Sequence, residues 1–288
     1  MNYADLKGYI FLDGEILEWK NAKLHVLSHG LHYASSVFEG ERSYNKKVFK
    51  EKEHTKRLIY SAKTLGFEIP YSEEEIIKIR KKVLDANNIT DGYIRPIAWR
   101  GSEMMGISAQ QNTIHFAVAA WEWPSYFSPE AKLKGIRLNI SKWRRPDPAT
   151  APVNTKAAGL YMICTLSKHE AERQGFDDSL MLDYRGYVAE ATGANIFFIK
   201  NNELHTPIAD CFLDGITRQT IISIAKEQRI TVLQKRIKLE ELNQYNECFV
   251  TGTAAEVTPV NQIGEFSFKP GLLCKNFIEK YSLLTQSN

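Results

Sequence analysis

One residue that could carry chemistry in this 288-residue chain is Lys156, in the stretch NTKAAGLYM. It follows an irregular, proline-rich approach, RRPDPATAPVN, and precedes a predicted helix of residues 158–173. The small residues Ala157, Ala158 and Gly159 allow a bulky group to reach its amine. Removal of that amine from water lowers its pKa, which favours an amine able to form a Schiff base. A solvated lysine near a helix start is the ordinary alternative.

A carboxylate of comparable interest follows at Glu190, in EATGANIFFI. Glu190 closes a predicted strand, and Gly193 allows a tight turn before the apolar strand NIFFI. A carboxylate at this place can hold a protonated ring nitrogen, or it can cap the turn. Its spacing from Lys156 does not decide between these roles.

Two loops have the composition of an anion site, DGITRQTII at residues 214–222 and TGTAAEVTPV at residues 251–260. Each places Gly and Thr at the predicted start of a helix or turn, where backbone N–H groups and a hydroxyl suit a phosphate. N-capping by Thr217 is the common alternative for the first loop. Two such loops together with Lys156 suggest a phosphorylated aldehyde as cofactor.

The histidine-rich segment HVLSHGLHYASSVFEG, residues 25–40, does not predict a metal site. His25 and His29 are spaced i, i+4, but the carboxylate that accompanies such a pair in a helical zinc site is missing. A loop leading into a buried segment is the simpler interpretation. The chain also lacks GxGxxG and GxxxxGKS/T, the two commonest nucleotide-binding patterns.

Strand and helix signals alternate along the whole chain. Strand pairs joined by tight turns are separated by amphipathic helices, one of them opened by a capping box of Ser72 and Glu75. This pattern predicts a mixed α/β (α+β) fold rather than a doubly wound parallel sheet. The predicted division is an N-terminal domain of residues 1–124, a turn-rich interdomain loop of residues 125–134 and a C-terminal domain of residues 135–288 that carries Lys156.

Composition and charge exclude several classes of protein. The 37 Lys and Arg against 34 Asp and Glu leave a net charge of +3, and the densest basic cluster, around Trp143, is too small for a nucleic-acid surface. The longest apolar run, residues 116–121, is far shorter than the roughly 20 residues of a membrane helix. Four widely spaced cysteines predict free, buried thiols, and with no secretory signal they indicate a cytoplasmic protein.

These motifs together carry a family resemblance. From Tyr9 to about Val260 the chain resembles the class IV, fold-type-IV pyridoxal-phosphate aminotransferases, and within them the branched-chain amino acid aminotransferases. Several motifs in the same order and at compatible spacing make the resemblance specific: HGLHYASSVFEG, HTKRL, YIRP, NTKAAGLY, GYVAEATGANIF, DGITRQTI and TGTAAEVTPV.

The resemblance implies a role for each matching residue. Lys156 corresponds to the catalytic lysine that binds pyridoxal 5'-phosphate covalently, and Glu190 to the carboxylate on its ring nitrogen. The other implied cofactor-binding residues are Arg57, Ile216, Thr217 and Thr253 at the phosphate and Tyr161 at the 3-oxygen. The implied substrate-binding residues are Tyr33, Phe38, Tyr93, Arg95, Trp123, Thr253 and Ala254.

The implied reaction moves the amino group of L-leucine, L-isoleucine or L-valine to 2-oxoglutarate, giving a branched 2-keto acid and L-glutamate. One pocket must therefore accept an aliphatic side chain and a carboxylate. Arg95 with Tyr33 is expected to bind the carboxylate, because an arginine fork matches its geometry. The apolar surface is expected from Phe38, Tyr161 and Trp123.

The resemblance also implies an architecture. It predicts antiparallel-rich sheets, a cofactor cleft between two domains, and a homodimer at least, with a hexamer open as the larger assembly. The segment Gly101–Ala109 is the candidate for a loop that reaches a neighbouring subunit.

The chain departs from the branched-chain pattern at positions that concern the substrate range rather than the cofactor, and alternative functions stay open. The sequence departs from the branched-chain pattern at Leu160, Ala34-Ser35, Ala191 and Ala194. A D-amino acid aminotransferase or an aminodeoxychorismate lyase would share Lys156 and Glu190, but HYASSVFEG and YIRP favour the branched-chain family. A non-catalytic protein that binds nucleic acid or an acidic partner through the basic cluster is the alternative from another class.

Overall fold

The computed structural model describes residues 2–123, 130 and 134–287, and the chain divides into two compact units. Unit 1 is Met1–Pro124 with Thr155–Gly159 and Asn288, and unit 2 is Ser125–Asn154 with Leu160–Ser287. Most of the predicted interdomain loop, residues 125–134, lies outside the described residues, and the domain boundaries stay a prediction.

The segment that carries Lys156 belongs to unit 1, whereas the sequence placed it in the second domain. Backbone contacts explain the difference. Ala157 forms a bridge with Val37, and the Phe38 N–H donates to the Lys156 carbonyl at 3.2 Å. The Lys156 N–H donates to Ser61 Oγ at 3.0 Å.

Unit 1 is built on an antiparallel sheet. Its strands are Tyr9–Leu12 (β1), Glu15–Glu18 (β2), Ser36–Phe38 (β3), Glu41–Tyr44 (β4), Lys47–Val48 (β5), Gly92–Arg100 (β6) and Ile114–Glu122 (β7). Their order is β2-β1-β7-β6-β4-β5, with β3 also paired to β6. The helices are His29–Tyr33 (α1), Glu51–Thr64 (α2) and Glu73–Ala86 (α3). Apolar residues of α2 and α3 form the core of this unit with one face of the sheet.

Helix α3 begins where its capping residues predict. Ser72 Oγ accepts from the Glu75 N–H at 3.3 Å, and the Ser72 N–H donates to Glu75 Oε2 at 2.7 Å. Such a cap stabilises a helix by about 1 kcal/mol. Ile76, Ile79 and Val83 follow at helical spacing and are buried in the core.

Unit 2 contains a larger mixed sheet. Its strands are Ile136–Arg145 (β8), Asp178–Asp183 (β9), Val188–Ala191 (β10), Asn195–Lys200 (β11), Glu203–Pro207 (β12), Val232–Lys235 (β13), Glu247–Gly252 (β14), Glu256–Ile263 (β15) and Phe266–Ser267 (β16). The order is β10-β9-β8-β15-β14-β11-β12-β13, and β16 pairs with β15. An added β10–β11 pairing closes six strands into a ring around an apolar core.

The helices of unit 2 are Met162–Arg173 (α4), Ile216–Glu227 (α5) and Leu272–Gln286 (α6). The predicted helix at residues 158–173 starts as a 3-10 turn, Ala158–Tyr161, and further 3-10 turns lie at Tyr3–Asp5, Trp19–Asn21 and Leu239–Gln244. Antiparallel pairs predominate in both sheets, so the predicted fold class is confirmed.

The cysteines and the lengths of the helices were also considered in the sequence. All four cysteines are free and buried, as predicted. Across the described ranges, each helix falls short of the length and apolar character required to cross a membrane.

Candidate active site

The amine of Lys156 lies against an aromatic ring in unit 1. Its Nζ is 4.7 Å from the centroid of Phe38, the last residue of β3. The hydrogen bonds of Lys156 to Ser61 and Phe38 fix the backbone on both sides of the side chain. The amine is therefore held at a defined place next to an apolar surface.

The surroundings of Lys156 make it a weaker base than a free lysine. Burial lowers the pKa of Lys156 from 10.5 to about 8. Glu39 opposes this change because its negative charge favours the ammonium, while Arg57 and Arg95 disfavour it. A large fraction of this lysine is consequently uncharged near pH 8, as a nucleophile or general base requires.

Strand β6 adds two predicted substrate residues beside Phe38. Tyr93 and Arg95 lie on one face of the strand because side chains alternate. Arg95 Nη2 donates to the Tyr93 hydroxyl at 3.0 Å, and its guanidinium lies 4.7 Å from the Phe38 ring centroid. The ring of Trp123 is 5.4 Å from that of Tyr93. The structure therefore brings the rings of Phe38, Tyr93 and Trp123 together near Arg95.

Arg57 lies on α2 and is held by a carboxylate that the sequence analysis did not single out. Its Nε and Nη2 donate to the two oxygens of Glu39 at 2.6 and 2.8 Å. His54, one turn earlier on the helix, contacts Glu39 Oε2 through Nδ1 at 2.7 Å. Both side chains reach Glu39 from the same face of α2.

Tyr33 lies elsewhere in unit 1, at the end of α1. Its ring packs on His29 at 4.5 Å, and its hydroxyl donates to the Met105 carbonyl at 3.1 Å. His29 Nε2 also contacts the Gly106 carbonyl at 3.1 Å. The structure thus joins Tyr33 to the segment Gly101–Ala109, and 43% of the residue is exposed. The predicted pairing of Tyr33 with Arg95 stays a prediction.

Glu190 is a buried carboxylate of β10 in unit 2. Arg145 Nε, at the end of β8, lies 3.3 Å from Glu190 Oε1, and Asn195 Nδ2 donates to Oε2 at 3.2 Å. Burial opposes the charge of Arg145, but Glu190 and the neighbouring Cys164 and Tyr161 raise the arginine pKa above its usual value. A cation and an amide are therefore among the groups that hold Glu190.

Asn195 connects Glu190 to the start of α5. Its Nδ2 also donates to the Leu213 carbonyl at 3.0 Å, and its Oδ1 accepts from the Gly215 N–H at 3.1 Å. A Cβ on Gly215 would lie 2.2 Å from Asn195 Oδ1, so only glycine allows this approach.

Gly215 is the N-cap of α5, and the cap has no side-chain hydrogen bond. Ile216 and Thr217 are the first two helical residues, so the capping role considered for Thr217 does not apply. Uncapped N–H groups at the positive end of a helix dipole suit a phosphate.

The second glycine-threonine loop is the turn between β14 and β15. A Cβ on Gly252 would lie 3.3 Å from the Gly193 carbonyl, so this turn packs closely on the turn that follows Glu190. Thr251 Oγ1 is buried without a hydrogen-bond partner among the described residues. Thr253 and Ala254 lie at the tip of the turn and are partly exposed.

Tyr161 closes the 3-10 turn before α4, close to the same arginine. Arg145 Nη1 donates to the Leu160 carbonyl at 3.3 Å and contacts Cys164 Sγ at 3.4 Å.

Four residues of these clusters were not predicted as site residues: Arg145, Asn195, Glu39 and His54. Arg145 was noted only as part of a basic cluster. Glu39, His54 and Asn195 stand inside or beside the quoted motifs, but their residue types and spacing did not show which side chains they contact.

One group of metal-ligand side chains occurs among the described residues, formed by Asp183, Asp210 and Cys211. Arg185 Nη2 lies 2.6 Å from Asp183 and 2.7 Å from Asp210. The guanidinium therefore supplies the positive charge between the two carboxylates.

The family model for amino-transferase class IV matches residues 36–263, most of the chain and nearly all of the residues described above. The chain belongs to this family. The predicted family membership and transaminase class are thereby confirmed.

Relatives of this aminotransferase extend over almost its whole length. It is 50% identical over 255 residues, 88% of this chain and 87% of the relative, to a probable branched-chain-amino-acid aminotransferase of Rickettsia bellii. It is 40% identical over 267 residues, 91% of this chain and 87% of the relative, to the branched-chain-amino-acid aminotransferase of Pseudomonas aeruginosa.

The fold of the aminotransferase also matches a solved structure. It superposes with a TM-score of 0.94 and 39% identity, over 98% of this chain and 95% of the other, on the T.th. branched-chain amino acid aminotransferase with pyridoxamine 5'-phosphate. Other structures of that enzyme are complexed with N-(5'-phosphopyridoxyl)-L-glutamate and with 4-methylvaleric acid.

Proposed function

We propose that this chain is a branched-chain-amino-acid aminotransferase that uses pyridoxal 5'-phosphate. It transfers the amino group of L-leucine, L-isoleucine or L-valine to 2-oxoglutarate and releases the branched 2-keto acid and L-glutamate. The observation that carries the proposal is the Lys156 amine, held against Phe38 near Arg95 with its pKa lowered to about 8. The names of relatives at 40 to 50% identity support the branched-chain activity over the D-amino acid and lyase alternatives.

The residues present fit the cofactor. Uncapped N–H groups at Ile216 and Thr217, the buried hydroxyl of Thr251 and the carboxylate of Glu190 match its phosphate and its ring nitrogen in chemical type. The proposed cofactor-binding residues are Lys156, Glu190, Arg57, Tyr161, Ile216, Thr217 and Thr253.

The chain's own residues then have defined tasks. When bound, pyridoxal 5'-phosphate supplies a conjugated ring that accepts the electron pair released with the substrate Cα proton. Nζ of Lys156 takes that proton as general base and would deliver it to the cofactor carbon that receives the amino group, and the second half-reaction runs in the opposite direction. Glu190, whose charge is paired with Arg145, holds the proton on the cofactor ring nitrogen.

The substrate pocket must accept two kinds of side chain in turn. The Arg95 fork binds the side-chain carboxylate of glutamate or 2-oxoglutarate, and Phe38, Tyr93 and Trp123 contact the aliphatic side chain. Thr253 and Ala254 bind the substrate α-carboxylate through their backbone turn. The T.th. relative supports this proposal because its complexes include both a glutamate adduct and 4-methylvaleric acid.

The proposal includes a homo-oligomer, a dimer at least, with a hexamer open. Residues 24–33 and the segment Gly101–Ala109 form an exposed apolar surface joined by the hydrogen bond from the His29 N–H to the Gly101 carbonyl at 2.8 Å. Exposed fractions reach 70% for Val26, 62% for Leu31 and 82% for Ile107. An apolar cavity of about 250 Å³ opens beside Leu31. Several exposed apolar side chains on two joined segments are typical of a protein interface.

The four buried free thiols favour a reducing compartment, so the proposed site of action is the cytoplasm.

A visible absorption titration of the purified protein tests the proposal. The band of the bound cofactor should bleach with L-leucine and return with 2-oxoglutarate, because the two half-reactions interconvert the cofactor forms. A response to D-alanine with no response to L-leucine would assign the chain to the D-specific relatives. No band after incubation with pyridoxal 5'-phosphate would overturn the assignment as an enzyme of this class.

A further inference from the structure

Glu39 occupies a rigid position in unit 1, directly after β3. Its N–H donates to the Pro96 carbonyl of β6 at 2.9 Å, and its side chain is fully buried. Neither the backbone nor the carboxylate can shift without breaking a hydrogen bond or disturbing the close packing around it. Glu39 is consequently a fixed point against which other side chains can be oriented.

Three hydrogen bonds converge on this carboxylate. Arg57 forms a two-point fork through Nε and Nη2 at 2.6 and 2.8 Å, and His54 Nδ1 lies 2.7 Å from Oε2. Burial acts to raise the pKa of Glu39, but Arg57 and His54 outweigh it and hold the pKa well below its usual range. Burial also lowers the pKa of His54, which favours a neutral ring that donates Nδ1–H.

The two hydrogen bonds from Arg57 to Glu39 fix the orientation of the Arg57 guanidinium. Two parallel bonds to one carboxylate fix the plane of a guanidinium, which a single bond would leave free to rotate. The fork uses Nε and Nη2, so Nη1 lies outside it. The Arg57 side chain is 14% exposed, whereas its Glu39 partner is completely buried.

We infer that Glu39 is a positioning residue that presents Arg57 to the cofactor phosphate, with His54 as a second brace on the carboxylate. This inference rests on the proposed function, which assigns Arg57 to the phosphate. Glu39 itself acts through Arg57 and is not a catalytic residue.

Two roles make opposite predictions for the removal of the Glu39 charge. If Glu39 acted only through its electrostatic repulsion of the phosphate, Glu39→Gln would tighten phosphate binding, because a negative charge near the phosphate is lost. If Glu39 positions Arg57, the same change weakens binding because the guanidinium loses its orientation.

The chain provides a matched control two residues along. Glu41 is also completely buried and pairs with a buried arginine, Arg80, at 2.8 Å. Arg80 Nη1 donates to Thr55 at 2.6 Å. Burial raises the pKa of Glu41 to about 8. Glu41→Gln therefore alters a contact between a carboxyl and an arginine that is as buried as the Glu39 pair but has no proposed cofactor role.

The experiment measures the dissociation constants of pyridoxal 5'-phosphate and of pyridoxal, which lacks the phosphate, for the full chain after cofactor removal. The ratio of the pyridoxal constant to the pyridoxal 5'-phosphate constant isolates the contribution of the phosphate. Glu39→Gln should lower this ratio by about tenfold or more, the range of one charge-assisted hydrogen bond. Glu41→Gln should leave the ratio unchanged, and Arg57→Ala should lower it at least as far as Glu39→Gln.

The double variant Glu39→Gln with Arg57→Ala should give the same ratio as Arg57→Ala alone, since Glu39 acts on the phosphate only through Arg57. If Glu39→Gln does not fold, Glu39→Asp tests the same point. It keeps the negative charge, but its shorter side chain moves the carboxylate away from the two hydrogen-bond donors of Arg57. The inference is overturned, and the phosphate assignment of Arg57 is kept, if the Glu39 variant has a ratio equal to or above that of the wild type while Arg57→Ala lowers it. A normal ratio in Arg57→Ala overturns the phosphate assignment and the inference with it.

Discussion

Lys156 has two cationic neighbours, Arg57 and Arg95, and an amine whose pKa burial lowers to about 8. Below pH 8 the lysine is charged in both the folded and the unfolded chain, and the folded state bears the full cost of the buried charge. Between pH 8 and 10.5 the folded chain releases the proton while the unfolded chain keeps it, so stability rises with pH through this range. The same feature that favours chemistry therefore destabilises the cofactor-free protein at neutral pH.

Lys156→Met should abolish transamination and should stabilise the cofactor-free protein at pH 7 by about 1–3 kcal/mol, because it removes a buried charge. The gain should shrink between pH 8 and pH 10. Urea unfolding at several pH values measures both effects. Lys20→Met is the control, since the Lys20 side chain is 76% exposed and should have no such effect. A Lys156→Met protein less stable than wild type at pH 7 would contradict the buried-charge argument.

Arg95→Ala tests the carboxylate-binding role that is proposed for Arg95 in the substrate pocket. It should lower kcat/KM for 2-oxoglutarate by about tenfold to a hundredfold and that for L-leucine by only a few-fold, because only the first substrate brings a side-chain carboxylate. Arg100→Ala is the matched control on the same strand. Arg100 contacts backbone carbonyls of Ala109 and Gly66, so its loss should not discriminate between the substrates. Equal losses with both substrates in Arg95→Ala would exclude the carboxylate role.

At the scale of elements, the junction between β3 and β4 shapes the face of β6 that carries Tyr93 and Arg95. A Cβ on Gly40 would lie 1.9 Å from the Tyr93 hydroxyl, which accepts the hydrogen bond from Arg95. The Tyr93 ring is buried and packed at 5.2 Å against Trp121, so it has little room to move. The absence of a side chain at Gly40 therefore allows the Tyr93 hydroxyl to stand where it accepts from Arg95, in the proposed substrate site.

Gly40→Ala should displace the Tyr93 hydroxyl, lower the free energy of unfolding by about 1–3 kcal/mol and raise KM for 2-oxoglutarate. Denaturant unfolding and steady-state kinetics measure the two effects. In a Tyr93→Phe background the same change should be less destabilising, because the oxygen that the new Cβ meets is gone. An equal loss of stability in both backgrounds would show that the hydroxyl is not the obstacle.

At the scale of the whole molecule, the exposed apolar surface of residues 24–33 and 101–109 predicts self-association. Leu31→Asp should shift the protein toward monomer and lower its activity, because a charge in an apolar interface loses its hydration without gaining a partner. Sedimentation velocity over a range of concentrations measures the shift. Leu272→Asp is the control, as Leu272 is 86% exposed in unit 2. An unchanged oligomer in Leu31→Asp would place the interface elsewhere.

Local signals in the sequence predicted several elements correctly. The capping box at Ser72 and the apolar spacing that follows predicted α3. The prediction of strand pairs joined by tight turns is confirmed by the β1–β2 hairpin, whose turn is Asp13-Gly14. Strand β15 was not predicted, because residues 251–260 were interpreted as the start of a helix or turn. Proline is also uncommon inside a sheet. The structure nevertheless places β15 between β14 and β8, with Pro259 opposite Phe249. Pairing with neighbours on both sides outweighs the one hydrogen bond that proline cannot make.

The chemical types of the site residues were determined by the sequence alone, and its ordered motifs identified the family. A lysine among small residues, a carboxylate before a tight turn and two Gly-Thr loops are local properties of the chain. Which charges pair was decided only by the tertiary structure. Glu39 meets Arg57, Glu190 meets Arg145, and Lys156 joins unit 1. Burial and ion pairing depend on residues brought together from distant positions, and these contacts set both the pKa of Lys156 and the orientation of Arg57.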